Sequence, residues 1–309
     1  MNYSKEEKKA HSIDHLGEAR EYWWNEDFLE LLSKRLSLST CKTVADIGCG
    51  TGSMTMHLAK HFSEGAMIKG LDFEKRHLKA ARQKIRKNKD FDCIEFEFVE
   101  GNANNLPFAE DEMDLTFCQT LLIHVPDPLE VIQEMKRVTK EDGWIVALEP
   151  NNLVSNLMFD SYAQTDYNVK DMLEVIEVRL RCEKGKKRLG EGFSSLGDVL
   201  PDLFLQAGLT DIQVWIADKA LALIPPYDTR EKRVRASQLI EWLETNTGGL
   251  EYDDNLRYFK AGGGKKEDYD SFWLKQSEYK KYMLDQLKEE KFVSAGGNMM
   301  YIVAGRVAS

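Results

Sequence analysis

The residues with the most chemical promise sit in one short run. Val44-Ala45-Asp46-Ile47-Gly48-Cys49-Gly50-Thr51-Gly52 places three glycines at alternate positions directly after a β-prone stretch, with a carboxylate two positions before the first of them. Glycines there let the chain turn tightly and let a ligand approach the main chain with no Cβ in the way. A dinucleotide-binding turn requires G-x-G-x-x-G, whose third glycine packs helix against strand. The spacing here is G-x-G-x-G, which describes a different loop. A second carboxylate, Asp72, closes the next β-prone run, Gly70-Leu71-Asp72-Phe73. An acidic residue at such a strand end can accept hydrogen bonds from both hydroxyls of a ribose. Asp is also a good helix N-cap, and a helix is expected to follow.

These groups need a scaffold, and the pattern around them supplies one. Short β-prone runs at 43–47, 67–71, 94–99, 115–118 and 144–148 alternate with helical stretches. The helices are marked by Met54, Leu58 and Phe62, by Leu78, Ala81 and Ile85, and by Val131, Met135 and Val138, each at helical spacing. Strand and helix in strict alternation predict a parallel sheet covered on both faces, with right-handed crossovers. Ligands of such sheets bind outside the carboxyl ends of the strands. Phe28, Leu29, Leu32 and Leu36 give residues 1–40 a helical stripe as well.

After Pro150 the rhythm breaks. Residues 156–183 read as helix, Glu183-Lys184-Gly185-Lys186-Lys187-Arg188 as a charged loop, and Leu196, Val199, Leu200, Leu203 and Phe204 as a helical stripe ended by Gly208. Ile212, Val214 and Ile216 alternate as a sixth strand, and 299–303 form the last. Between those two strands, 228–295 carry 10 aromatic residues, 13 Lys+Arg and 14 Asp+Glu. This segment reads as a nearly neutral helical insertion, with Gly262-Gly263-Gly264 as a flexible joint. It fits either a lid over the crevice or a packing and dimerisation appendage, so a homodimer stays open. The expected division is an N-terminal helical cap over 1–40, a ligand-binding domain over 41–227 and 296–309, and the insertion over 228–295.

Composition narrows the function classes. The chain of 309 residues has 42 Lys+Arg and 52 Asp+Glu, a formal net charge of −10. A protein that grips nucleic acid through phosphates needs a dense cationic face, which this balance disfavours. The N-terminal stretch has no apolar signal core, and no run of about 18 apolar residues occurs, so neither secretion nor a membrane span is expected. The five cysteines are widely spaced with no C-x-x-C, which fits reduced thiols in the cytoplasm and gives no metal signature.

On Asp46 to Gly52, on Gly70 to Phe73, on Val99-Glu100-Gly101-Asn102-Ala103 and on Met113 to Pro128, the sequence resembles the class I S-adenosylmethionine-dependent methyltransferases. The resemblance runs to residue 150 and resumes over 195–217 and the last strand. It implies a Rossmann-like α/β fold with a seven-stranded, mostly parallel sheet whose last strand is antiparallel. It implies S-adenosyl-L-methionine as cofactor, and a transferase that moves a methyl group by in-line displacement to an O, N or C nucleophile of a small molecule.

Carried over position by position, the resemblance implies that Asp46, Gly48, Cys49, Gly50 and Gly52 form the cofactor turn. Asp72 then takes the ribose and Phe73 the adenine face. Asn102 and Ala103 stand where the family often has Asp-Ala reading the adenine edge; the amide oxygen of Asn102 can still accept, without charge assistance. Gln119 and Thr120 lie where main-chain atoms take the methionine amino group. His124 matches a position often filled by His, as a general base or as a packing residue. Upstream, Arg20 could pair with the cofactor carboxylate, and Tyr22, with Trp23 and Trp24, could wall the sulfonium side; adjacent aromatics on a terminal helix also commonly pack onto a core. Two other classes remain open at this point: a non-catalytic cofactor-binding or interaction protein, and an NAD(P)-dependent oxidoreductase that would have to dispense with G-x-G-x-x-G.

Overall fold

β-Branched and aliphatic residues dominate Thr43–Ile47 (β1), and its last four residues are buried, as a central parallel strand requires. In the computed structural model, which describes residues 18–155, 159–161, 168–249, 251–297 and 299–308, β1 lies inside a seven-stranded sheet. The other strands are Met67–Asp72 (β2), Glu95–Glu100 (β3), Met113–Gln119 (β4), Thr139–Asn151 (β5), Leu209–Ile216 (β6) and Met299–Val307 (β7). Their spatial order is β3-β2-β1-β4-β5-β7-β6. Pairings among β1 to β5 are parallel, while β7 runs antiparallel to both neighbours, β5 and β6. The expected antiparallel last strand is therefore present, and it sits inside the sheet, with β6 on the edge. Strand order reverses between β1 and β4, and the glycine turn lies at that switch point.

Helices Glu26–Leu36 (α1), Ser53–Ala59 (α2), Lys75–Arg86 (α3) and Pro128–Val138 (α4) connect or flank the parallel strands. Each turns its apolar stripe inward. Phe28, Leu29, Leu32 and Leu36 of α1 are buried, as are Val131, Ile132, Met135 and Val138 of α4. Sequence chemistry sets the start of α4: Pro128 opens its first turn, and the Asp127 carboxylate accepts from the N–H groups of Leu129 and Glu130. The chain continues through Asn152–Ser155 (α5), Val169–Arg188 (α6), Leu200–Gln206 (α7), Arg230–Thr245 (α8), Tyr252–Ala261 (α9) and Lys266–Lys288 (α10).

Two compact units divide the molecule. One comprises 24–152, 191–219 and 299–309 and holds the whole sheet. The other gathers the described residues of 1–23, 153–190 and 220–298 and is helical. The sheet unit has its main core around Ile47, Met113, Ile132, Ile145, Phe204 and Val303. Inside the helical unit one cluster centres on Leu223, Tyr227, Leu243 and Phe292, and another on Val178, Phe259, Tyr269 and Phe272. Among the described residues no helix is long and apolar enough to cross a membrane.

Two expectations about loops are corrected. The charged run Glu183 to Arg188 is the last turns of α6, not a loop. Its glycine marks an approach between helices: a Cβ on Gly185 would lie 1.8 Å from the carbonyl oxygen of Tyr258 on α9. Likewise Gly262 to Gly264 are no flexible joint. A Cβ on Gly262 would lie 2.0 Å from the carbonyl oxygen of Arg181, and one on Gly264 would enter the ring of Phe259. Of the helix read over 156–183, residues 156–158 and 162–167 lie outside the described residues, 159–161 are not helical, and the helix proper begins at Val169. Residues 1–17 of the expected N-terminal cap also lie outside the described residues.

Candidate functional site

The turn after β1 is built around main-chain hydrogen bonds. Gly48, Gly50 and Gly52 all take positive φ, at 73°, 54° and 77°, a conformation that residues with a Cβ rarely adopt. A Cβ on Gly48 would also come within 2.8 Å of the Leu121 side chain. The N–H groups of Gly48 and Cys49 both donate to the carbonyl oxygen of Leu71, at 2.7 and 2.9 Å, and Gly52 N–H donates to Cys49. Gly50 N–H donates to the carboxylate of Asp72 at 2.9 Å. The second oxygen of Asp72 accepts from Glu74 N–H at 2.9 Å and lies 3.3 Å from Nδ1 of His77. Asp72 thus ties the end of β2 to the glycine turn and also supports the start of α3. A carboxylate offers about four lone-pair sites, so these contacts leave acceptor capacity for a ligand hydroxyl.

Asp46 lies below the turn and is fully buried. Its carboxylate accepts from the Thr55 hydroxyl at 2.5 Å. Burial pushes its pKa up to about 7; the Thr55 hydrogen bond opposes this and the negative charge of Asp72 adds to it. Cys49 contributes main chain to the turn, but its side chain does not face a ligand. The thiol packs with Leu78, Ala81 and Phe98, and burial, aided by Asp46 and Asp72, drives its pKa up. Gly70 makes room for this packing, since a Cβ there would meet the Phe98 ring at 2.7 Å and the Cys49 sulfur at 3.0 Å.

β-Pairing brings the next candidates alongside. β2 and β4 flank β1, so Asp72 and Gln119 end the strands on either side of the glycine turn. Phe73 follows Asp72 with 59% of its surface exposed. Gln119 and Thr120 are half-buried, and Thr120 has a positive φ of 49° while its N–H donates to Leu148. Asn102 is exposed, and its side-chain oxygen accepts from Asn104 N–H at 3.0 Å, closing a local turn; Ala103 beside it is buried. His124 is half-buried in a short 3-10 turn over Leu122–His124. Arg20 and Tyr22 belong to the helical unit, in a 3-10 turn over Glu18–Tyr22. There the Arg20 guanidinium stacks 4.7 Å above the Trp23 ring, whereas Trp24, in the sheet unit, is buried against Phe28.

Sequence reasoning missed one residue. Glu149, near the end of β5, is fully buried, and one carboxylate oxygen accepts from both Leu121 N–H, at 2.8 Å, and Leu122 N–H, at 2.7 Å. It therefore fixes the loop that follows Gln119 and Thr120 and presents Leu121 to Gly48. The available signal was an acid directly before Pro150 at the end of the apolar run Trp144 to Leu148, since charged residues are rarely fully buried without partners.

The domain family described as "Methyltransferase domain" matches residues 38–195, just over half of the chain, and the chain belongs to it. The demethylmenaquinone methyltransferase of Oceanobacillus iheyensis is 34% identical over 126 residues, which are 41% of this chain and 50% of that protein. Its Bacillus subtilis counterpart is 41% identical over 104 residues, 34% of this chain and 43% of that protein. The chain thus spans about half the length, or less, of these curated relatives. The crystal structure of a candidate methyltransferase from Bacillus halodurans shares the fold, with a TM-score of 0.50 at 16% identity, covering 92% of this chain and all of that one.

Proposed function

We propose that this chain is an S-adenosylmethionine-dependent methyltransferase that acts on a small molecule. The observation that carries the reading is the state of the glycine turn. A turn that holds a diphosphate presents free N–H groups and avoids negative charge. Here the N–H groups of Gly48, Cys49, Gly50 and Gly52 are engaged within the protein, and two buried carboxylates, Asp46 and Asp72, stand at the turn. That environment suits a cofactor with ribose hydroxyls and a positive charge, and it opposes the pyrophosphate of NAD(P). The family membership and the demethylmenaquinone methyltransferases among the relatives point the same way.

When bound, S-adenosylmethionine supplies a methyl group already activated on a sulfonium. What remains for the protein is to orient an acceptor in line with that bond and to exclude water, and positioning of this kind can lower a barrier by roughly 7–11 kcal/mol in the best cases. Asp72 would take the ribose, with Phe73 against the adenine and Asn102 and Ala103 at its edge. The Gln119–Thr120 main chain, held by Glu149 through the loop that follows, would take the methionine end. His124 is the candidate base if the acceptor must lose a proton. The acidic balance of the chain favours a small molecule over nucleic acid as acceptor. Five free cysteines, four of them buried, fit a cytoplasmic setting.

Thermal shift with S-adenosylmethionine against NAD+ and NADP+ tests the cofactor, and methyl-labelled cofactor with small-molecule extract tests the reaction. Stabilisation by S-adenosylmethionine alone, with label entering a small product, is expected. Stabilisation by a dinucleotide and not by S-adenosylmethionine would overturn the reading.

A further inference from the structure

The helical unit contains a pair of cations that no carboxylate among the described residues neutralises. Arg179 extends from α6, and Lys280 from α10. The Lys280 ammonium lies 3.7 Å from the centroid of the Trp273 ring and 3.5 Å from the side-chain oxygen of Asn246, at the C-terminal end of α8. Trp273 is held in turn by the edge of Tyr252, with ring centroids 5.2 Å apart, and by stacking on the fully buried Tyr269 at 6.2 Å. Arg179 follows Val178, which shares a core cluster with Cys182 of the same helix and with Tyr269 and Phe272 of α10, and its charge acts on Lys280, on the Tyr269 phenol and on the Cys182 thiol. Its Nε is buried and has no hydrogen-bond partner among the described residues. Glu251 attracts Lys280 but forms no ion pair with it among the described residues.

Two like charges held together in a half-buried aromatic seam are costly unless an anion joins them. We propose that Arg179, Lys280 and the Trp273–Asn246 wall form a binding site for the anionic group of a small molecule, a carboxylate or a phosphate monoester. Arg179 supplies directional N–H donors for such a group and Lys280 a point charge. Trp273 keeps the Lys280 ammonium in place by cation–π attraction when the site is empty, and offers an apolar surface to whatever carries the anion. The site lies wholly within the helical unit and does not depend on the identity of the cofactor.

The electrostatics of Lys280 provide a direct readout. Burial, together with the charge of Arg179, lowers its pKa to about 8, whereas the ion pair with Glu174 raises that of Lys275 on the same helix. In the unmodified chain near pH 8, acetic anhydride should therefore label Lys280 more than about tenfold faster than Lys275. Inorganic phosphate or acetate, compared with chloride at equal ionic strength, should protect Lys280 saturably and leave the neighbouring Lys281 unchanged. Protection by phosphate alone assigns a phosphate ligand, and protection by acetate alone a carboxylate. In parallel, thermal stabilisation by the protecting anion should be lost in Arg179→Met and Lys280→Met, each a near-isosteric change that keeps the packing. Equal labelling of Lys280 with and without both anions would overturn the proposal, as would anion stabilisation that persists in both variants. Because the labelling arm uses the unmodified chain, a variant that fails to fold leaves the test intact.

Discussion

Asp46→Asn isolates a strongly perturbed carboxyl group at the glycine turn. Asn keeps the shape of the side chain and an oxygen that can accept from the Thr55 hydroxyl, but it cannot ionise. In the folded protein the carboxyl pKa rises from an ordinary 3.8 to about 7, mainly through burial. A raised carboxyl pKa means that the folded state binds more protons than the unfolded state between those values, so stability falls as pH rises across that window. The contribution is complete below pH 4, is lost progressively up to pH 7 and is flat above it. At 1.36 kcal/mol per unit, ionised Asp46 costs the fold about 4 kcal/mol above neutrality. Between pH 5 and pH 8 the wild-type protein should lose about 3 kcal/mol relative to Asp46→Asn. Urea unfolding of both proteins at several pH values measures this, with stability taken from midpoint and slope at each pH. The difference should open steadily from pH 5 to 7 and then stop growing. Asp72→Asn, which removes the neighbouring charge, should shift the window to lower pH. Parallel stability curves for wild type and Asp46→Asn would refute the reasoning, because they would mean that Asp46 titrates as it does in the unfolded chain.

Three further outcomes are expected. Asp72→Ala leaves Gly50 N–H and Glu74 N–H without their acceptor, so affinity for S-adenosylhomocysteine by titration calorimetry should fall at least about tenfold, with roughly 1–3 kcal/mol of stability lost as well. Glu149→Leu should cost about 2–6 kcal/mol, since it strands two buried N–H groups at about 1–3 each, while Glu149→Gln, which keeps an acceptor for Leu121 and Leu122, should cost clearly less in the same denaturation assay. Gly185→Ala drives a methyl group into the Tyr258 carbonyl and should destabilise the helical unit by about 3 kcal/mol or more. Gly190→Ala, at a positive φ of 70° with nothing within 4 Å, should cost only the backbone strain of about 1–2 kcal/mol; equal effects at both glycines would deny the close approach of α6 and α9.

The sheet was legible because its signals are local. Each of β1, β2, β4 and β5 is a short apolar run next to a helix with a clear stripe, and the glycine turn sits where their alternation puts a ligand. The antiparallel β7 came from the family resemblance, since nothing in Met299 to Val303 fixes its direction. Failures occurred where a long-range contact overrides local chemistry. Gly185 reads as a loop residue because glycine costs about 1 kcal/mol in a helix, yet it is retained in α6 for the close approach of Tyr258. Gly262 and Gly264 read as a joint for the same reason and serve the same packing. Glu149 carried only the signal of an acid at the end of an apolar run, and its role was hidden because its partners, the N–H groups of Leu121 and Leu122, are nearly thirty positions away in sequence and carry no side-chain signal.

Charge distinguishes the two units. In the sheet unit, carboxylates are carried inward near strand ends, and each is retained by hydrogen bonds: Asp72 by the main chain of Gly50 and Glu74, Glu149 by that of Leu121 and Leu122, Asp46 by the Thr55 hydroxyl of α2. The negative charge at the switch point is therefore part of what fixes the glycine turn, and a ligand there must bring hydroxyls or positive charge to profit from it. The helical unit has the opposite imbalance at its aromatic seam, where the charges of Arg179 and Lys280 act on each other and Glu251 attracts Lys280 without forming an ion pair among the described residues. A net charge of −10 for the chain hides this contrast, because the total is set by surface residues, whereas affinity is set by the few charges that burial keeps from being screened. It follows that raising ionic strength should weaken binding of simple anions to the helical unit in wild type, whereas Lys280→Met, which keeps only the Arg179 charge there, should show little anion binding at any ionic strength, while the cofactor affinity of both proteins stays equal.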